Sequence, residues 1–181
     1  MKIIKYFIES LFIIFLLIVF KILGLKFSSN LGSIVGGLLG PFFRSKNTII
    51  SNIKKALPEA EQKDIEIITK KMWKNYGRIL SEYVFIKNFR NSKDEKFFSV
   101  EGQEILNGIK NTNEPVIFIS GHFNNFELMA MQIEKSGINL AAIYRPLNNV
   151  FLNKIMERIR KKYICKKQIK KGRSGTRELL E

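Results

Sequence analysis

Apolar and polar positions divide this chain into two regimes. Up to about residue 90 the apolar residues fall in unbroken or helically spaced runs; from Phe97 onward they form short blocks separated by helix-length stretches. The strongest run is Leu11 to Phe20, preceded by Lys2, Lys5 and Glu9 and followed by Lys21. A helix from Ile3 to Leu25 would rise about 34 Å, enough to cross a bilayer core. The pattern predicts a membrane-anchoring helix, with Lys5 and Glu9 paired one turn apart and Lys21 snorkelling. A cleaved signal peptide also starts basic and turns apolar. Here no small-x-small site follows, and Lys21 stands where cleavage would be expected. The remaining alternative is a buried core helix.

Ser28-Ser29-Asn30 read as a helix cap. In the segment Leu31 to Pro41, Gly32, Gly36 and Gly40 recur every four residues. That spacing makes a smooth face for close packing of another helix, within this protein rather than at a dimer seam. Pro41 ends the segment. Asn47 to Leu57 reads as a short helix stopped by Pro58. From Glu61 to Lys87, Ile65, Ile68, Met72, Tyr76, Ile79 and Tyr83 recur at three- and four-residue intervals, which predicts a long helix with one buried stripe. Trp73 is expected to pack in the core.

Beyond Phe97 the expected elements alternate. Phe97–Val100 reads as a short strand, Gly102 to Asn111 as a helix, and Val116 to Ser120 as a buried strand. A helix begins near Asn124 or Asn125 and stops at Gly137. Leu140 to Tyr144 is another strand, Val150 to Lys162 a helix, and Tyr163-Ile164-Cys165 a third core strand. Ser174 starts a last helix with Glu178 in its first turn. This alternation implies parallel strands with crossover helices, hence an α/β fold: a membrane helix and a helical segment followed by a partial, mostly parallel sheet.

Charge narrows the partners. Lys+Arg is 31 against Asp+Glu 16, a net charge of +15. From Asn153 to Arg177 eleven basic residues face one acid, Glu157. Such one-sidedness suggests a polyanionic partner: lipid headgroups, sugar phosphates, an acidic carrier protein or nucleic acid. No aromatic-basic stacking pattern or nucleic-acid motif accompanies it, which argues against nucleic acid. Cys165 is the one cysteine, so no internal disulfide or cysteine-based zinc site can form. A nucleophilic Cys165 would need a histidine base, and the chain's single histidine, His122, lies elsewhere; an inert thiol is expected.

In parallel sheets, functional groups gather beyond the carboxyl ends of the strands. The strand at Val116–Ser120 gives way to Gly121-His122-Phe123-Asn124-Asn125-Phe126-Glu127. An imidazole there can take a proton from a hydroxyl as its oxygen attacks a carbonyl. Glu127, in the first turn of the next helix, can orient it through the far ring nitrogen. The bland readings are a satisfied core histidine and an acid complementing the helix dipole. The second strand ends in Tyr144-Arg145-Pro146-Leu147-Asn148-Asn149. Pro146 keeps Arg145 extended, past the strand end, where it can hold phosphate or developing charge. If the two strands are parallel neighbours, His122 and Arg145 share one edge of the sheet.

The His-x4-Glu element resembles the signature of the lysophospholipid acyltransferase superfamily. With its surroundings it looks more like the lipid A biosynthesis acyltransferases, the late lauroyl/myristoyl transferases. The resemblance runs through the N-terminal helix, Asn52 to Pro58, Met72 to Arg78 with Glu82-Tyr83, Gly121 to Glu127, Tyr144 to Asn149, and Lys171-Gly172-Arg173-Ser174-Gly175. It implies acyl transfer from acyl-acyl carrier protein to a hydroxyl of a Kdo-bearing lipid A precursor, an anionic glycolipid. It also implies a glycerolipid-acyltransferase-like fold, His122 as base, Glu127 as its orienting partner, and Arg145, Asn148 and Arg173 as substrate-binding residues. No metal or cofactor is implied, and the expected place is the bacterial inner membrane, with the site on the cytoplasmic side. The expected divisions are residues 1–26 as anchor helix, 27–92 as a helical membrane-proximal region and 93–181 as the catalytic domain. Family members continue further, whereas this chain stops at Arg177-Glu178-Leu179-Leu180-Glu181, inside a helix with no stop signal, so a C-terminally incomplete domain is expected. Two alternatives stand beside this reading. A glycerol-phosphate or lysophospholipid acyltransferase is disfavoured by Tyr144 to Asn149. A non-catalytic, basic membrane-surface or nucleic-acid-binding protein leaves His122 and Glu127 unused.

Overall fold

A computed structural model describes residues 2–92, 97–112 and 114–180. They form two compact units, residues 15–85 and residues 1–14 with 86–181. The expected domain boundary at residue 93 and the terminal Glu181 lie outside the described residues. Helix α1 (Lys2–Leu23) is long and apolar enough to cross a membrane; its most apolar 18 residues have a mean hydropathy of 2.5. Its apolar side chains, among them Ile4, Ile8, Phe15 and Ile22, are mostly exposed, which a buried core helix would not show. Lys5 and Glu9 pair as expected, 3.7 Å apart.

In the unit 15–85, α2 (Leu25–Leu39) packs along α4 (Gln62–Glu82). Gly32 lies on Gly77 and Ser81, Gly36 on Trp73 and Gly77, and Gly40 on the Trp73 indole; a Cβ at any of the three would overlap its neighbour. The glycine face is thus an internal packing face, as its spacing predicts. Short α3 (Lys46–Ala56) leans on α4 and buries Ile49.

Three local expectations change. Ser28-Ser29-Asn30 caps nothing. Helix α2 starts earlier, after Gly24, whose φ of 76° breaks the chain from α1. The three polar residues instead tie elements together. Ser28 Oγ donates to Phe20 O, Ser29 Oγ donates to Glu82 Oε1 at 2.8 Å, and Arg78 donates to Asn30 Oδ1. Lys21 does not extend away: its ammonium donates to Val84 O at 3.3 Å and sits over the Phe85 ring. Finally, the long helix ends at Glu82 in a 3₁₀ turn, Tyr83–Phe85, before α5 (Ile86–Asn91). Ile65, Ile79 and Tyr83 are buried, but Tyr76 leaves the stripe because Gly77 takes the contact with α2.

The other unit is built on a βαβ motif. Strand β1 (Ala141–Tyr144) runs parallel to β2 (Lys167–Lys170), with Ala141 beside Lys167 and Tyr144 beside Lys170. Helix α8 (Val150–Tyr163) makes the crossover, and α9 (Arg173–Leu180) returns over β2. Helix α6 is Gln103–Thr112 and α7 is Glu127–Lys135. Helix α5 packs on α7 and α8. Arg90 binds the three together, donating to Tyr163 O at 3.1 Å and pairing with Glu134 at 2.5 Å. Met131, Ile164, Cys165 and Ile169 are fully buried around this sheet.

The α/β class and the parallel pairing hold, yet among the described residues two predicted strands are absent and one moves. The third strand is Lys167–Lys170, not Tyr163–Cys165. Tyr163 closes α8, and the next two residues are plugged into the core, with the Cys165 thiol donating to Leu140 O at 2.8 Å. Phe97–Val100 forms no strand; Phe97 packs its ring edge-on against Phe89. Val116–Ser120 joins no sheet among the described residues. Within it only Phe118 is half-buried, between Ile117 and Ile119, which are 87% and 90% exposed. A strand needs a ladder partner to satisfy its backbone, and the described residues offer none there.

Candidate active site

Helix α7 opens at Glu127 without a side-chain cap. Asn124 and Asn125, near which the helix was expected to begin, shape the turn instead: Asn124 takes a φ of 44°, a left-handed conformation that asparagine tolerates, and Asn125 O accepts from Leu128 N. This turn leaves Gly121, His122 and Phe123 exposed. The imidazole of His122 rests on the Phe126 ring, centroids 4.2 Å apart.

Glu127 is buried, only 5% exposed. At the first position of α7 its charge is favoured by the helix dipole. Arg160, near the end of α8, donates from both Nε and Nη2 to Glu127 Oε1, at 2.9 and 2.5 Å. Charge-assisted bonds of this kind are strong and directional, so the carboxylate is firmly placed. The same guanidinium lies 5.8 Å from the centre of the Tyr144 ring, at the carboxyl end of β1. One arginine therefore joins the start of α7, the end of α8 and the end of β1. No hydrogen bond joins His122 to Glu127 among the described residues; His122 has Phe126, and Glu127 has Arg160.

From the sequence, Arg160 counts only as one of the basic residues between Asn153 and Arg177 expected to meet a polyanionic partner. The signal was present. Arg160 follows Met156 by four residues, on the flank of the apolar stripe Phe151, Ile155, Met156 and Ile159, and so faces inward. Every other basic residue from Lys154 to Arg177 is exposed.

Around Tyr144 the electrostatics are graded. Burial, then neighbouring Glu157, raises the pKa of its phenol. Glu157 is pushed the other way, below the usual carboxylate value, chiefly by the bond it accepts from Lys161 at 2.9 Å. Lys170 adds to this from 3.9 Å.

The expected substrate residues sit on the strand ends. Arg145 directly follows β1, and Arg173 follows β2 by three residues and opens α9; both are exposed, as is Asn148. Because β1 and β2 are parallel and in register at Tyr144 and Lys170, the two arginines leave the same edge of the sheet. Lys171 N donates to Tyr144 O and fastens that edge. The further convergence of His122 with Arg145 was expected through strand pairing, and Val116–Ser120 makes no such pairing among the described residues. Cys165 is buried and burial pushes its pKa up, the opposite of an activated thiol; Lys166 and Lys167 point to solvent. Among the described residues no group of three His, Cys, Asp or Glu side chains is placed to hold a metal ion.

A long apolar helix thus precedes an α/β unit in which the single histidine stands five residues ahead of a fixed carboxylate and the strand ends are basic. The chain belongs to the bacterial lipid A biosynthesis acyltransferase family, whose profile matches residues 1–180. It is 25% identical over 129 residues to a lipid A biosynthesis palmitoleoyltransferase of Escherichia coli K12 and, equally, to a lipid A biosynthesis acyltransferase of Shigella flexneri. Each match covers 71% of this chain and 42% of the relative, so the alignment spans under half the length of those curated proteins. No solved structure matches.

Proposed function

We propose that this chain carries the acyl-transfer site of a membrane-bound acyltransferase. The donor is acyl-acyl carrier protein and the acceptor a hydroxyl of a Kdo-bearing lipid A precursor. His122 takes the proton of the acceptor hydroxyl as that oxygen attacks the thioester carbonyl. A C–O bond forms, the C–S bond breaks, and the carrier thiolate leaves with the proton returned by the imidazolium. Glu127 orients the imidazole once substrate draws the 121–126 turn inward, and Arg160 fixes Glu127 for that task. Arg145, Asn148 and Arg173 hold the anionic acceptor at the strand-end edge. The glycerolipid-acyltransferase-like fold and a site on the cytoplasmic face of the inner membrane belong to this reading.

The observation that carries it is Glu127: a buried carboxylate clamped on one oxygen, five residues after the only histidine, in a chain of this family. The exposed basic edge suits both an acidic carrier and a phosphorylated acceptor. The test incubates the full-length protein with labelled acyl-acyl carrier protein and, separately, a Kdo-bearing lipid A precursor, glycerol phosphate and a lysophospholipid. Labelled product from the lipid A precursor is expected. Product only from glycerol phosphate or lysophospholipid would replace this acceptor with the alternative one.

A further inference from the structure

Asn149 is the most constrained polar residue of the strand-end loop. It is 8% exposed, and its side-chain amide works in two directions. Oδ1 accepts from Phe151 N and Leu152 N, at 3.1 and 3.2 Å, and caps α8. Nδ2 donates to Tyr6 O of α1 at 2.8 Å and lies 3.5 Å from Glu9 Oε2. Capping requires only the oxygen. The nitrogen spans 143 residues of sequence to reach the backbone of the apolar helix. A helical carbonyl keeps a second lone pair beside its intrahelical bond, so Tyr6 O can accept without loss to α1. Phe7 packs edge-on to Phe151, 5.6 Å between centroids, and closes the contact from the apolar side. Glu9 is held in turn by Lys5.

We propose that Asn149 is a positioning residue that clamps the first turns of the membrane helix to the strand-end loop. It thereby sets the height of Arg145 and Asn148 above the bilayer. This rests on the acyl-transfer reading only for its consequence; the clamp itself is a contact within the unit formed by residues 1–14 and 86–181. An acceptor embedded in a bilayer must meet the site at a fixed depth. An acceptor dispersed in detergent has no fixed depth and makes no such demand.

Asn149→Ser separates the two roles, because serine still caps α8 but is too short to reach Tyr6 O. Asn149→Asp is the second variant: it keeps the cap oxygen, removes the donor and sets a carboxylate against Glu9. Spin labels at Ile8→Cys and Lys154→Cys, with buried Cys165 left in place, read the clamp in vesicles. A narrow distance distribution is expected in the parent and a clearly broadened one in both variants; an unchanged distribution overturns the proposal. In the transfer assay, KM for a vesicle-embedded acceptor should rise about tenfold, with kcat on detergent-dispersed acceptor held within about twofold. Equal loss in both formats would reduce Asn149 to a cap and overturn the proposal. If the parent transfers no acyl group at all, the proposed function fails, and the spin-label arm still decides the clamp.

Discussion

The pair α2–α4 and the stretch Val116–Phe126 begin from similar material and end differently. Both are rich in apolar and small residues. In the first, each of Gly32, Gly36 and Gly40 meets a partner on α4, and the face is closed. In the second, Val116, Ile117, Ile119 and Phe123 stay exposed, and His122 with them. The reason is where each element finds its hydrogen bonds. A helix satisfies its backbone within itself and needs one neighbour to cover a stripe. A strand takes its bonds from chain segments far away in sequence. The open stretch nonetheless ends on a fixed point: Glu127 is buried and held by Arg160.

The largest expected effect strikes that fixed point. Arg160→Ala leaves the Glu127 charge buried without its guanidinium and should cost about 3–5 kcal/mol. A drop in the urea midpoint checks it, and a cost near zero would make the end of the open stretch as loose as its start. Next, Gly77→Ala drives a Cβ into Gly32 O and should cost about 1–3 kcal/mol, because both backbones are packed helices that cannot step aside. Gly108→Ala in α6 meets open space and should be neutral or gain up to about 1 kcal/mol. The contrast between these two glycines, read by thermal unfolding, measures how closed the α2–α4 face is.

Smaller effects sharpen the comparison from the open side. Ile119→Lys should change the stability of this chain by less than about 0.5 kcal/mol, since the side chain is 90% exposed. Cys165 should react with a thiol reagent at least about tenfold more slowly than a free peptide thiol near neutral pH, since burial raises its pKa. The smallest effect is Glu157. Its folded pKa lies below the unfolded value, so its contribution is present above the unfolded value and lost as pH falls through the folded one. Glu157→Gln should therefore cost under about 1 kcal/mol near pH 7, the pair with Lys161 being partly exposed, and progressively less as the pH falls through the folded pKa.

What the sequence revealed follows the same division. The long apolar helix α1, the Lys5–Glu9 pair, the glycine face, α3, α6, α8 and β1 were legible, because each is governed by local periodicity or by a proline or glycine stop. The absence of a ladder at Val116–Ser120 was not, since an apolar block reads the same whether or not a ladder partner exists. Strand β2 was misplaced for a related reason. Ile164 and Cys165 are the apolar pair, but Lys167–Lys170 makes the ladder, burying Gln168 and Ile169 between two lysines. At the site, His122 and Glu127 stood out by residue type. Arg160 did not, because a single inward arginine looks like its exposed neighbours until the apolar stripe beside it is followed turn by turn. Asn149 read only as part of a motif, and its bond to Tyr6 joins residues too far apart for spacing to predict.

The central claim is that His122 is the base of an acyl transfer. Its most direct test is the rate of transfer from acyl-acyl carrier protein to a Kdo-bearing lipid A precursor by the full-length protein and its His122→Ala variant. Because His122 is exposed, the substitution should leave the unfolding midpoint unchanged. A loss of about 10²–10⁴-fold in kcat is expected at that unchanged stability. Transfer by His122→Ala at the parent rate would contradict it.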